Sequence, residues 1–292
     1  MATKIYTKEF AKVLNDIYEA QQHFMAPFGG NLQVVDGIKA SDTFMSVKIS
    51  DVEVTIQDYD TGENIAFGTG TGKSTRFGER KEIKSIDKNI EFEAPLAIHE
   101  GVDSVTVNDD VNQVISERTA AHAEAWVEHV NGLLSKALSA NAGKTLKAVE
   151  LSKDGVVAAF DEASKEFTNN KVSRSLARYA YVTPDVYNIL VNNDLITTAK
   201  NSNVNIDTNE LKMFKGFVIE EVADEYFQTG ENIYFAAQNV GVAGIGLEIY
   251  RILDSEDFAG VAIQAAAKYG KYIPEKNKKA ILKAKLKAPV GA

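Results

Sequence analysis

Between Asp109 and Gly143 the chain runs for roughly eight helical turns without a proline, and this stretch constrains everything around it. Val111, Ile115, Thr119, His122, Trp126, Val130, Leu133 and Ala137 recur at three- and four-residue spacing, laying one mostly apolar stripe along a helix. Asp109 and Asp110 are suitable N-caps, and Asn141, Ala142 and Gly143 a suitable stop. A helix so much longer than the ~11-residue average spans a whole body, and other elements must pack along it.

The flanking patterns are of a different kind. Tyr6, Phe10, Val13, Leu14 and Ile17 give a short amphipathic arm over Thr3–Tyr18, which Pro27, Phe28, Gly29 and Gly30 end. From Thr43 the apolar period is two: Met45, Val47 and Ile49, then Val52, Val54 and Ile56 after a slip at Ser50 and Asp51 that reads as a bulge. Asp60, Thr61 and Gly62 signal a turn, with Asn64–Phe67 expected as the returning strand and a second extended run over Ile83–Phe92.

After the long helix the elements shorten and alternate. A helix is expected over Val156–Thr168, a strand over Tyr179–Val182, and a helix opened by Thr183, Pro184 and Asp185 and running through Val191. Strands are expected over Leu211–Val222, Ile233–Ala237, Leu247–Leu253 and Phe258–Tyr272. This is an α+β arrangement without internal repeats.

Composition excludes several function classes. A chain of 292 residues with 45% hydrophobic side chains can bury one large core or two smaller ones. No cysteine is present, so disulfides, thiolate nucleophiles and cysteine metal sites are out. The longest uncharged stretch, Asn232–Leu247, is too short and too interrupted for a membrane helix. Lys4, Lys8 and Glu9 with no apolar run behind them do not make a secretory signal, so folding in a cytoplasm is expected. The net charge of −9 argues against general nucleic-acid binding. Charge is nonetheless uneven: from Lys271 onward seven lysines face the single acid Glu275, a basic end on an acidic body. There Lys283, Lys285 and Lys287 alternate with Ala284 and Leu286, the pattern of a terminal strand with one solvated face.

Four groups of residues invite a chemical reading. Gly68–Ser74 ends like a phosphate-binding loop, but the first glycine of GxxxxGK[ST] would fall at Phe67, and Gly78 interrupts the helix that should follow Lys73. A hairpin tip explains it better than a nucleotide-binding enzyme does. Asp58, Asp60, Gly62 and Glu63 break the order of a calcium loop and fit a turn. His122 and His129 lie seven apart, without HExxH spacing, so a packed histidine is the better account of His122. Glu220, Glu221, Asp224 and Glu225 are adjacent in a polar stretch and read as a solvated acidic loop facing basic groups of a neighbour. No catalytic residue, cofactor site or metal site emerges.

The order of elements, an arm, a long hairpin with a basic glycine-containing segment, a long helix and a returning α+β lobe, resembles the major capsid proteins of tailed bacteriophages. Arg76–Ile83, Ile98–Asp103 and Thr106–Asp110 are similar to the loop-to-helix connection of capsid proteins from phages of Gram-positive hosts, and Phe258–Val261 and Lys268–Lys271 to their returning strands.

The resemblance implies an HK97-like capsid fold. Its parts would be an N-terminal arm (1–38), an extended β-hairpin loop (39–92), a peripheral domain (93–150) with a spine helix over 109–141, an axial domain (151–245), returning peripheral strands (246–272), and a C-terminal strand with basic tail (273–292). It also implies a non-enzymatic subunit that self-associates into pentamers and hexamers of an icosahedral shell. Expected partners are scaffold, portal and decoration proteins, and the shell would enclose double-stranded DNA without reading its sequence. The same fold would also serve an encapsulin-like nanocompartment. Arg76, Glu79, Arg80 and Lys81 become candidates for ion pairs between subunits, and Ile115, His122, Trp126, Val130 and Leu133 for packing of the spine helix. The arm beginning near Met1 leaves scaffolding to a separate protein or to none.

Overall fold

The apolar stripe forms the helix it predicts: α1 spans Val111–Ala140. His122, Trp126, Val130 and Leu133 are buried along it and Ile115 is half-buried. The expected caps Asp109 and Asp110 lie outside the residues described by this computed structural model, which are 22–34, 43–50, 54–63, 65–67, 75–83, 85–106, 111–193, 204–205 and 210–287. The arm helix expected over Thr3–Tyr18 also lies outside them, as does Gly68–Ser74. The chain divides into two units, residues 43–91 and residues 1–42 with 92–292.

In the larger unit, α1 packs on a four-stranded sheet of order β1-β13-β14-β4. These strands are β1 (Gln33–Val34), β4 (Leu96–Asp103), β13 (Val242–Asp254) and β14 (Gly260–Tyr272). The last two strands, each of 13 residues, form an antiparallel ribbon, β4 adds antiparallel to β14, and β1 adds parallel to β13. Trp126 of α1 sits 5.9 Å from the ring of Tyr269, and Thr119 Oγ1 lies 3.0 Å from Tyr250 OH, so both ribbon strands hold the helix. Gly260 is required in the ribbon, because a Cβ there would stand 2.0 Å from Val102 O. Trp126→Ala should cost ~3–5 kcal/mol through the cavity it leaves. A urea melt checks this, and an unchanged midpoint would contradict the packing.

A second, six-stranded sheet has the order β10-β11-β7-β12-β15-β5. It comprises β5 (Lys144–Thr145), β7 (Arg178–Val182), β10 (Met213–Phe214), β11 (Phe217–Glu221), β12 (Ile233–Ala237) and β15 (Ile281–Ala284). All five residues of β12 are buried, the unbroken apolar run of a strand covered on both faces. Helix α2 (Lys153–Asn169) presents Val156, Phe160, Ala163 and Phe167 on one face. Its Phe160 meets Phe214, Phe217 and Phe235 at 5.0, 5.7 and 5.0 Å in edge-on contacts that favour aromatic pairing. Ser152 caps α2 by accepting from Gly155 N–H at 3.2 Å. Helix α3 (Pro184–Val191) starts at the expected Pro184. Two small pairs complete the unit: β6 (Val149–Glu150) with β16 (Leu286–Lys287), and β8 (Val204–Asn205) with β9 (Glu210–Leu211).

Three sequence expectations need correction. Leu211–Val222 is not one strand, since β10 and β11 turn back on each other through Lys215 and Gly216, whose φ angles are 48° and 85°. The basic C-terminal stretch is extended, with Ala284 and Leu286 buried and Lys285 and Lys287 exposed as expected, but it is not a terminal edge: β15 lies between β12 and β5, and Ile281, Leu282 and Ala284 are fully buried. Gly143 after α1 also donates to Lys278 O and Ile281 O, tying the helix end to this stretch.

The third correction falls in the smaller unit, where β2 (Thr43–Ser50) pairs with β3 (Ser85–Glu91) and not with Asn64–Phe67. The run over Ile83–Phe92 that looked like a separate strand is the partner. Val54 and Ile56, expected to continue the first strand, lie in irregular chain and are each 96% exposed.

Candidate assembly surfaces

The segment between β2 and β3 is held by its own polar side chains. Gln57 donates to Glu79 O at 2.9 Å and accepts from Glu79 N–H at 3.0 Å. Asp60 N–H bonds Arg76 O, and Asp60 Oδ1 accepts from Gly62 N–H at 3.0 Å, the turn that its sequence suggested. The Arg76 guanidinium donates to Ile65 O at 3.1 Å and lies 5.1 Å over Phe67. Lys81 Nζ donates to Thr55 Oγ1 at 2.9 Å. Of the four candidate ion-pair residues, then, Arg76 and Lys81 bond within the loop and Glu79 does so through its backbone. Arg80 is exposed and makes no hydrogen bond or ion pair among the described residues. The residues after the near phosphate loop, 75–83, contain no helix, so the N-terminus that motif requires is missing.

Large apolar side chains are exposed among the polar ones. Phe67, Phe77 and Ile83 are 78, 76 and 75% exposed, and Val54 and Ile56 more so. Single exposed side chains are ordinary, but here Val54, Ile56, Tyr59, Phe67, Phe77 and Ile83 are all exposed within one short segment. Sequence reasoning assigned Val54 and Ile56 to a strand and so missed them as surface.

On the larger unit, charged groups lock elements together. Arg118 of α1 makes a two-pronged bond to Glu100 of β4, and buried His122 Nε2 lies 3.0 Å from Glu100 Oε2, poorly aligned for hydrogen bonding. The Arg118 guanidinium is the main reason the Glu100 carboxyl is held down at about 2, well below its ordinary 4.5. A depressed carboxyl stabilises the fold above its unfolded value, and this contribution is lost as pH falls from 4.5 towards 2. Because the pair is exposed to solvent, screening keeps this contribution small. Glu100→Gln should flatten the acid limb of a stability curve over that window, and an unaltered limb would contradict the lock.

Glu231, nearly buried, is the hub of a second cluster. Its carboxylate takes Lys283 Nζ at 2.7 Å, Ser139 Oγ at 2.7 Å and Tyr234 OH at 2.7 Å. Burial pushes its pKa up, but Lys283, Ser139 and Tyr234 together hold it below the usual carboxylate range. Of the acidic group near the end of β11, Glu220 bonds His23 Nδ1 at 2.6 Å, a pairing between residues 197 apart that no local pattern signals. Glu221, Asp224 and Glu225 remain exposed.

No protein-family profile matches this sequence, and no curated protein matches it. Solved structures do. One of Mycobacterium phage Che8 is similar at a TM-score of 0.68 and 16% identity over 90% of this chain and 91% of that one. The mature capsid of bacteriophage PhiM1 is similar at 0.65 and 13%, over 91% of this chain and 87% of that one. A virus-like particle from Pyrococcus furiosus is similar at 0.55 and 15%, over 96% of this chain and 99% of that one. With the spine helix, the long ribbon and the β2–β3 loop in place over nearly the whole length, the chain has the HK97-like fold of tailed-phage major capsid proteins.

Proposed function

We propose that the chain is a non-enzymatic structural subunit that self-assembles into a closed icosahedral shell around a phage genome. The fold supports a shell subunit, and the observation that carries the assembly reading is the exposed apolar surface of residues 54–83. A two-stranded unit cannot bury such side chains by itself, whereas a neighbouring copy can. Arg80, exposed and without a hydrogen bond or ion pair among the described residues, is a cation of the same segment that a neighbouring copy could meet.

In the same reading residues 93–150 and 246–272 form the peripheral domain and 151–245 the axial domain. The strand β15 brings part of the segment 273–292 into the sheet of the axial strands. Scaffold, portal and decoration proteins are its partners, and DNA is enclosed without sequence-specific contacts. An acidic chain of net charge −9 suits that role, because a shell that gripped phosphates would hinder packaging and release.

The similarity to the virus-like particle supports a second reading, a compartment around a protein cargo. The TM-scores of 0.68 and 0.65 to the two phage structures, against 0.55 to the virus-like particle, favour the genome container. Particles isolated from the native source decide between them by nuclease-protected DNA against co-purifying protein. Sedimentation velocity of the purified chain tests the shared claim: discrete rings or shells are expected, and a monomer under every salt and crowding condition would overturn it.

A further inference from the structure

The two ends of strand β11 carry opposite charge. At its start, around the Lys215–Gly216 turn, opens a cleft of about 500 Å³ whose charged lining is Arg174, Arg178 and Lys215. Lys215 bonds Asp161 of α2, and Arg178 donates to Val172 O at 3.4 Å while lying 5.1 Å over Phe167. Arg174 is exposed and has no hydrogen-bond or ion-pair partner among the described residues. Burial and then the neighbouring charge of Arg174 pull the Arg178 pKa down, as they do where two guanidiniums share a site without a carboxylate between them.

At the other end, β11 finishes at Glu221 and a single 3-10 turn, Asp224–Tyr226, follows. Glu221, Asp224 and Glu225 are exposed there, and none has a hydrogen bond or ion pair through its side chain among the described residues. Tyr226 O accepts a hydrogen bond from Ser135 Oγ of α1, which fixes the turn on a rigid element. Five strand residues set the two ends roughly 17 Å apart. They cannot answer each other within one copy.

We propose that they meet between copies: the acidic turn Glu221–Glu225 of one subunit seats in the Arg174, Arg178 and Lys215 cleft of the next. Such a contact uses two different patches, so it is head-to-tail, the kind of contact that builds a ring when the rotation between neighbours closes, as the shell reading requires. A planar guanidinium in a cleft suits a carboxylate in two-pronged contact. Phosphate would suit the cations too, but the exposed acidic turn at the opposite end of the same strand gives every copy of the chain the complementary charge. The inference rests on the shell reading and adds to it which surfaces join neighbours within a ring.

A charge swap tests it. Arg174→Glu and Glu225→Lys should each lower the ring or shell fraction seen by sedimentation at least tenfold, with melting curves unchanged because both side chains are exposed. The double variant should recover most of the assembly. Arg174→Gln should give an intermediate loss, and added salt should weaken wild-type ring formation. Single variants that assemble like wild type would overturn the contact and leave the shell reading standing. So would a double variant no better than the singles, or an Arg174→Glu defect that tracks lost DNA retention. A wild-type chain that never assembles would overturn both.

Discussion

Val54→Asp combined with Ile56→Asp should abolish shell formation while leaving the melting curve of the subunit unchanged. Both side chains are 96% exposed, so neither contributes packing to the free chain. Covered by a neighbour, each would contribute about 1.5–3 kcal/mol. Losing both removes roughly 3–6 kcal/mol from every copy of the contact, and the new carboxylates add a desolvation cost. Because each contact recurs throughout a symmetric shell, the loss multiplies. Gel filtration would show the variant at the subunit position, and a normal yield of large particles would mean that this surface is not where copies meet.

Lys283→Ala is expected to have the largest effect on the subunit itself. It removes the close ammonium from Glu231, whose side chain is only 4% exposed, and leaves Lys285 Nζ at 3.9 Å as the remaining cation. Stranding a buried charge costs about 3–5 kcal/mol, a large part of a domain's net stability. The pair also joins β15 to Glu231, two residues before β12, and these two strands are neighbours in the interior of the six-stranded sheet. Urea denaturation measures the cost. Glu231→Gln in the Lys283→Ala background should recover part of it, because the stranded charge is then gone. A Lys283→Ala variant as stable as wild type would return this stretch to the solvated tail that its composition suggests.

The long helix was legible because its apolar stripe repeats over many turns and no proline interrupts it. Ile233–Ala237 was legible for the complementary reason, an apolar run of strand length between polar ends. What could not be read was pairing. Nothing local distinguishes Asn64–Phe67 from Ser85–Glu91 as the partner of Thr43–Ser50, since both are short extended runs after a turn. Between the two strands, side chains such as Gln57 and Arg76 make bonds that reach across 11 to 22 residues, which no local pattern signals. The alternating lysines of the C-terminal stretch do mark a solvated face at Lys285 and Lys287, but they gave no sign that the strand lies inside a sheet. There Lys283 is instead the partner of a buried acid, and Ile281 and Leu282 supply core. At the candidate surfaces, charge at Arg76–Lys81 was visible in sequence. That Arg76 is used inside the loop, and that Val54, Ile56, Phe67 and Phe77 are exposed, required coordinates.

Electron microscopy of the purified full chain tests the shell claim most directly. We predict closed, uniformly sized icosahedral particles whose reconstruction shows the surface of Val54, Ile56, Phe67 and Phe77 covered by a second copy. A chain that stays as dispersed single subunits with and without co-expressed scaffold, or particles in which that surface faces solvent, would contradict the account.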